Sequence, residues 1–250
     1  MPVASLRFYE ELNDFLPQGL RKRKFIHRYS QGEPIKHVIE SVGVPHTEVE
    51  VILVNGESVD FDYLLQADDR VSIYPLFESM DVSPLLRLRP EPLRRLRFIA
   101  DAHLGRLARY LRLLGFDCLF FNDAGDSKLV SISVDEGRVL LTRDRGLLMH
   151  RNLTHGCFIH ATEPRQQLKE ILRRLQLEAL CNPFTRCMEC NGLLVAEDKK
   201  RIEAELPENV RRHYNEFRCC DQCARIYWKG SHFRELQAFI ASLIPSPGKE

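Results

Sequence analysis

The sequence predicts an α/β protein built on a parallel sheet, and three observations carry that expectation. Between Arg97 and about residue 180, short apolar runs alternate with amphipathic stretches; a strand-rich stretch precedes them and a cysteine-rich stretch follows. Strand–helix alternation of that length implies parallel strands with helices on the sheet faces. The expected organisation is a first domain over 1–80, an Arg/Pro-rich linker over 81–96, the α/β domain over 97–180, a metal-binding module over 181–240 and a tail over 241–250.

In the first domain LRFYEEL, KFIHRYS, VEVILVNGESV and DRVSIYPLF have strand character and EPIKHVIESVG helical character, giving the order ββαββ. With the Asn55-Gly56 turn and Asp68-Asp69 ahead of the last strand, this resembles the β-grasp fold of ubiquitin and the small sulfur carriers. Those carriers need a free C-terminal Gly-Gly, whereas here the chain runs on through Leu76, Phe77 and Glu78, so a docking or scaffold role is expected. Pro84, Pro90 and Pro92 break regular structure over the linker. Its Arg87, Arg89, Arg94 and Arg95, followed by Arg97, form a candidate backbone-binding strip.

The alternating region reads RFIAD, DCLFFN, RVLLTR and GCFIHA as strands. Their partners are the helices HLGRLARYLRLLG, DSKLVSISVDEG and PRQQLKEILRRLQLEAL, with a helical turn at DRGLLMH. In the first helix Leu104, Leu107, Leu111 and Leu114 make an apolar stripe, and Arg106, Arg109 and Arg112 are expected on a different, basic sector. Leu168, Ile171, Leu172 and Leu175 repeat the inward pattern in the last helix.

Asp101 ends the first of these strands, Asp126 follows the second and Asp144 ends the third, with Asp123 as a candidate fourth acid. In a parallel sheet such junctions share the carboxyl edge, where ligands of open α/β folds bind. A lone Asp there is by default a helix N-cap. Three together repel unless a cation neutralises them, and hard cations such as Mg²⁺ or Mn²⁺ take carboxylate oxygens. Arg143 and Arg145 beside them, with the basic helix, suit a phosphodiester held by guanidinium groups, although arginine can also simply pair with the carboxylates.

Cys187-x-x-Cys190 and Cys220-x-x-Cys223 have the spacing of two zinc knuckles with S₄ coordination and no open position, so Zn²⁺ here is structural. Cys219 competes with Cys220, and Cys220 is preferred because it preserves the spacing. Cys118, Cys157 and Cys181 fall in or next to apolar elements and are expected as core residues. Tyr227, Trp228, Lys229 and His232 then place aromatic rings among positive charge, which suits unpaired bases and phosphates. Equally, Tyr227 and Trp228 could cover the zinc site of so small a module. His103, after Asp101, is the other histidine of interest.

Taken together, FIADAHLGRLARYLRLLGFD (98–117), Asp126 with Leu129, and GRVLLTRDRGLL (137–148) resemble the Mut7-C RNase family, a branch of the PIN-like nucleases. The resemblance covers residues 96–240, and the first domain resembles the ubiquitin-like domain often fused to that family. It implies a PIN-like α/β/α sandwich with a β-grasp domain before it and a zinc ribbon after it. It also implies an Mg²⁺ or Mn²⁺ site at Asp101, Asp126 and Asp144, and single-stranded RNA as substrate. A fourth acid is common in such sites, but residue 146 here is glycine, which leaves one-metal and two-metal operation both open. PIN-like domains frequently pair, which makes a homodimer compatible with it, and the docking role expected of the β-grasp domain is compatible with a protein partner.

No stretch approaches the roughly 18–20 apolar residues of a bilayer span, no secretory signal is recognisable, and a cytoplasmic protein that keeps its thiols reduced is expected. The net charge of +1 gives no general pull on anions, so charge matters only where it is concentrated. The main alternative function is a non-catalytic RNA- or ribosome-binding protein. Phosphotransfer through an aspartyl nucleophile fits poorly, because His103 stands where the second acid of that chemistry is wanted.

Overall fold

The computed structural model describes residues 1–75, 88 and 96–243. The linker expectation and most of its arginines, together with the end of the tail, lie outside these described residues. The chain divides into two compact units, Met1–Asp101 with Asp123–His160, and Ala102–Asn122 with Ala161–Glu250.

In the first unit, strands β1 (Val3–Phe8), β2 (Phe25–Arg28), β3 (Val51–Val54), β4 (Glu57–Val59) and β5 (Arg70–Tyr74) form one sheet in the order β2-β1-β5-β3-β4. Only the central β1–β5 pair is parallel. Helix α1 (Ile35–Ser41) buries Ile35, Val38 and Ile39 against Leu6, Phe8, Ile52 and Ile73, the β-grasp arrangement. The sequence order ββαββ needs correction to ββαβββ. VEVILVNGESV is a hairpin, because Asn55 (φ 53°) and Gly56 (φ 97°) both take the left-handed conformation that a two-residue type I′ turn demands. LRFYEEL likewise stops being a strand at Phe8 and continues as a 3₁₀ turn over Glu10–Phe15. Asp69 is buried and locks the turn before β5, accepting from Asn55 Nδ2 at 2.8 Å, the Tyr63 hydroxyl at 3.1 Å and the Gln66 amide at 2.8 Å.

The same unit holds β6 (Phe98–Ala100), β8 (Val139–Thr142) and β9 (Gly156–Phe158), which pair in parallel in the order β6-β8-β9. Every residue of β6 and β8 is buried, as expected of strands covered on both faces. Helix α3 (Asp126–Glu136) packs on β6 and β8, and the short α4 (Arg145–Leu148) on β8 and β9.

In the second unit, α2 (Gly105–Leu113) packs on β7 (Cys118–Phe120) and on α5 (Pro164–Arg174). Leu104, Leu107, Leu111 and Leu114 are buried as the periodicity predicts, as are Leu168, Ile171 and Leu172 of α5. Gly115 (φ 93°) ends the first helix. A Cβ there would sit 2.2 Å from the Asn182 carbonyl oxygen, so glycine alone fits. The rest of the unit is a three-stranded antiparallel sheet of β10 (Leu194–Glu197), β11 (Phe217–Cys220) and β12 (Ile226–Trp228), a zinc-ribbon-like meander, followed by α8 (Ser231–Ala241). Two short helices, α6 (Lys199–Ile202) and α7 (Glu208–His213), fill the long gap between the cysteine pairs. That gap supplies core: Ile202 and Leu206 pack with Phe217, and Val210, Tyr214, Ile226 and Trp228 surround them.

Candidate functional site

Two groups of chemically capable side chains stand out, one in each unit. In the first, Asp101 follows β6 and is 8% exposed. The fully buried Thr142, the last residue of β8, donates its hydroxyl to Asp101 Oδ2 at 2.6 Å and accepts from the Asp144 amide at 2.9 Å. A hydroxyl can donate and accept at once, so Thr142 bridges the Asp101 carboxylate and the Asp144 amide. Thr142 thus ties the ends of two neighbouring parallel strands together. It was not singled out from the sequence, where the hydroxyl in T-R-D looks like any buried strand residue.

Asp144 is the N-cap of α4: its Oδ1 accepts from the Gly146 amide at 2.7 Å and the Leu147 amide at 3.3 Å. The capping role weighed for these acids is thus real at Asp144. It does not apply to Asp126, because Gly125 is the N-cap of α3 and Asp126 is its exposed first residue. A carboxylate there is favoured by the helix dipole. Asp123 is exposed three residues earlier. Asp101 and Asp144 are therefore brought together through Thr142. Among the described residues, the four cysteines form a group whose ligand atoms lie close enough together to share an ion.

In the second unit, the Sγ atoms of Cys187, Cys190, Cys220 and Cys223 all lie within 4.8 Å of one another. A tetrahedral S₄ site with Zn–S near 2.3 Å has sulfur–sulfur edges of about 3.8 Å. Cys187 and Cys223 are 3.7 Å apart, and Cys190 and Cys220 are 3.3 Å apart. The amides of Gln222 and Cys223 point at Cys220 Sγ from 3.4 and 3.5 Å, an arrangement that favours thiolate. Burial raises the Cys187 thiol, but the Tyr227 hydroxyl at 3.1 Å and the amides of Cys190 and Glu189 outweigh it and bring it down to about 7. Burial and the neighbouring sulfurs push Cys190 up to about 12. The donor set and spacing fit zinc, whose charge would hold all four as thiolates. Cys219 stands outside the group, its thiol directed to the Ala224 carbonyl at 3.1 Å. Cys118 and Cys157 are buried, and burial together with Glu178 raises Cys181 to about 11, which leaves it unreactive.

Residues 96–240 match the model of the Mut7-C RNAse domain, and residues 1–81 match that of the Mut7-C ubiquitin domain. The chain belongs to the Mut7-C RNAse domain family. No curated protein and no solved structure matches it. Among the described residues of this Mut7-C chain no helix is long and apolar enough to cross a membrane.

The basic and aromatic residues of the Mut7-C chain fall into distinct environments. Arg106 and Arg109 are exposed on α2, and Arg109 pairs with Glu189 at 2.7 Å. Arg112 corrects the expected basic sector. It is 4% exposed and donates to the carbonyls of Cys118 at 2.8 Å, Met188 at 3.1 Å and Glu189 at 2.6 Å, so it fastens the first zinc knuckle to α2 and β7 and is not available to a phosphate. Burial lowers its pKa. Arg145 donates to the Phe15 carbonyl at 3.3 Å and lies over the rings of Phe15 and Phe158, so its first partners are protein groups. Arg143 and His103 are exposed.

Tyr227 is committed to Cys187, and Trp228 leans on the ribbon core and over Gly230, so both serve as cover for the metal module. Lys229 pairs with Glu216 at 2.7 Å. His232 is 80% exposed, with Glu235 at 3.6 Å.

Proposed function

We propose that this Mut7-C chain is a metal-dependent ribonuclease that hydrolyses phosphodiester bonds of single-stranded RNA. The observation that carries the proposal is the Asp101–Thr142–Asp144 link at the carboxyl edge of the parallel strands, inside the region matching an RNase domain. The donors on offer are carboxylate oxygens, which suit Mg²⁺ or Mn²⁺; Asp101, Asp126 and Asp144 would hold the ion. When bound, such a cation supplies charge that polarises the phosphate and acidifies water.

The protein's own contribution is positional. Thr142 holds the Asp101 carboxylate in one rotamer, and the α4 cap fixes Asp144 through Oδ1. The functional modules are 1–80, 97–180 and 181–240, and Cys187, Cys190, Cys220 and Cys223 hold a structural Zn²⁺. Eight cysteines without a disulfide fit a reducing, cytoplasmic setting. The capping of Asp144 favours one competitor, a non-catalytic RNA binder in which this acid only starts a helix.

Cleavage of a fluorescent single-stranded RNA by the zinc-loaded chain in Mn²⁺, Mg²⁺ or EDTA separates the two. Cutting is expected with either metal, none in EDTA, and a loss of at least about a hundredfold in Asp101→Asn and in Asp144→Asn, as for removal of a residue that positions charge at the reacting centre. RNA binding without cutting in any metal would replace the nuclease by the binder.

A further inference from the structure

A groove of about 350 Å³ lies wholly within the second unit, lined by Arg106, Arg109 and Tyr110 of α2, Arg165 of α5, and His232 and Phe239 of α8. Two of its features point to a ligand with both a flat face and a negative charge. The Tyr110 and Phe239 rings meet at 5.0 Å between centroids, tilted by 47°, and the Arg165 guanidinium already lies 5.0 Å over the Phe239 ring. The charge is less one-sided than three arginines suggest, because Glu235 also lines the groove and Glu189 pairs with Arg109. Three guanidinium groups against two carboxylates still leave a positive excess. The volume is at the low end of the roughly 300–1,000 Å³ of small-ligand sites, room for a single nucleotide and too little for a duplex.

We propose that this groove is a subsite for one unpaired ribonucleotide of a single-stranded RNA. The base stacks on the Tyr110–Phe239 pair and the adjoining phosphate sits among Arg106, Arg109 and Arg165. Aromatic stacking accepts any base because each has a π face, and guanidinium groups read phosphate and not sequence, so the subsite is sequence-tolerant. The fourth wall includes Met188, which lies inside the first zinc knuckle and whose carbonyl is held by Arg112 of α2. The helix that supplies Arg106 and Arg109 is therefore fastened to that wall, so an intact zinc module is a condition of the subsite. The inference rests on the ribonuclease reading only for the identity of the ligand as RNA.

The test is anisotropy of fluorescent oligo(U) with the full-length, zinc-loaded Asp101→Asn chain as parent, in EDTA-free buffer without Mg²⁺ or Mn²⁺ so that no cutting competes with binding. Phe239→Ala is expected to weaken binding about tenfold or more, the order of one lost base stack. Arg165→Ala, a change at an exposed position, is expected to weaken binding and to flatten the log–log salt slope by about 0.7. Arg201→Ala, a change at an exposed arginine paired with Glu197, should stay within about twofold. Zinc content and far-ultraviolet circular dichroism establish that each variant is folded. Unchanged affinity and slope in both groove variants overturn the subsite even if the wild-type chain cleaves RNA. Loss of binding in both upholds it even if no cleavage is ever seen. Equal competition by polyglutamate, with no effect of Phe239→Ala, would reduce the groove to an acidic-peptide or general anion surface and also overturn the proposal.

Discussion

Replacing Arg112 by methionine tests the buried guanidinium that holds the first zinc knuckle. The wild-type side chain donates to three carbonyls, those of Cys118, Met188 and Glu189, from a position 4% exposed. A hydrogen bond with one charged partner contributes about 1.5–3 kcal/mol, so the three sum to roughly 4.5–9 kcal/mol before desolvation is counted. Methionine fills much of the stem volume and relieves the cost of burying a charge, but withdraws one charged donor from each of three carbonyls. The net loss expected is about 3 kcal/mol, at the lower bound for breaking a buried charged network. For a chain of this size that corresponds to a fall in Tm of roughly 6–12 °C, at 2–4 °C per kcal/mol. Zinc release to a chromogenic chelator should quicken in parallel, because two of the lost bonds end on the knuckle between Cys187 and Cys190. Arg112→Lys keeps the charge without the planar fork and should recover less than half of the loss. A methionine variant with the wild-type melting temperature and zinc release rate would refute the argument and return Arg112 to the surface.

The other predictions concern residues whose roles the structure separates from those of their neighbours. Cys220→Ser should abolish zinc binding and unfold the β10–β12 sheet, whereas Cys219→Ser should keep the full zinc content, as read by metal analysis and circular dichroism. Arg145→Ala should cost about 1–2 kcal/mol in urea unfolding, from one hydrogen bond and two cation–π contacts, and leave RNA affinity within about twofold. A large loss of affinity at unchanged stability would instead make Arg145 a phosphate contact.

Much of this was legible because the signals are local. Short continuous apolar runs gave β6, β8 and β9, the Leu104–Leu114 spacing gave the buried face of the first helix, and the two CxxC pairs gave the metal module. Arg112 was misplaced although its helical position carried a warning. At 100° per residue it lies about 120° around the helix from Arg106 and only about 40° from Ala108, which is fully buried. Polarity alone argued for exposure; the knuckle carbonyls that reverse it come from more than seventy residues away and leave no local trace. Thr142 and the groove residues Arg165 and Phe239 were missed for the same reason, since each acquires its role only through partners on other elements. The extra strand was missed by joining two short runs across a turn whose Asn-Gly pair was itself visible.

The least legible feature was what the β-grasp domain touches, and here the adjacency of Asp144 and Arg145 is instructive. In sequence they look like one acid-and-base pair for a phosphodiester. In the structure they begin the same short helix and face different tasks: Asp144 caps α4, while Arg145 reaches Phe15 and Phe158. The same helix meets the β-grasp domain again where the Thr47 hydroxyl donates to the Leu148 carbonyl at 3.4 Å. Further along, Lys36 donates to the Arg151 carbonyl at 3.4 Å and the His46 ring to the Leu153 carbonyl at 2.8 Å. The Glu48 carboxylate accepts from the Phe158 amide of β9. A four-residue helix has little stability of its own, since nucleation fixes several residues for the first hydrogen bond. Its tertiary contacts must therefore hold it, and several come from Phe15 and Thr47. The β-grasp domain thus adds to the packing of α4 on β8 and β9, and so supports the helix whose N-terminus Asp144 caps.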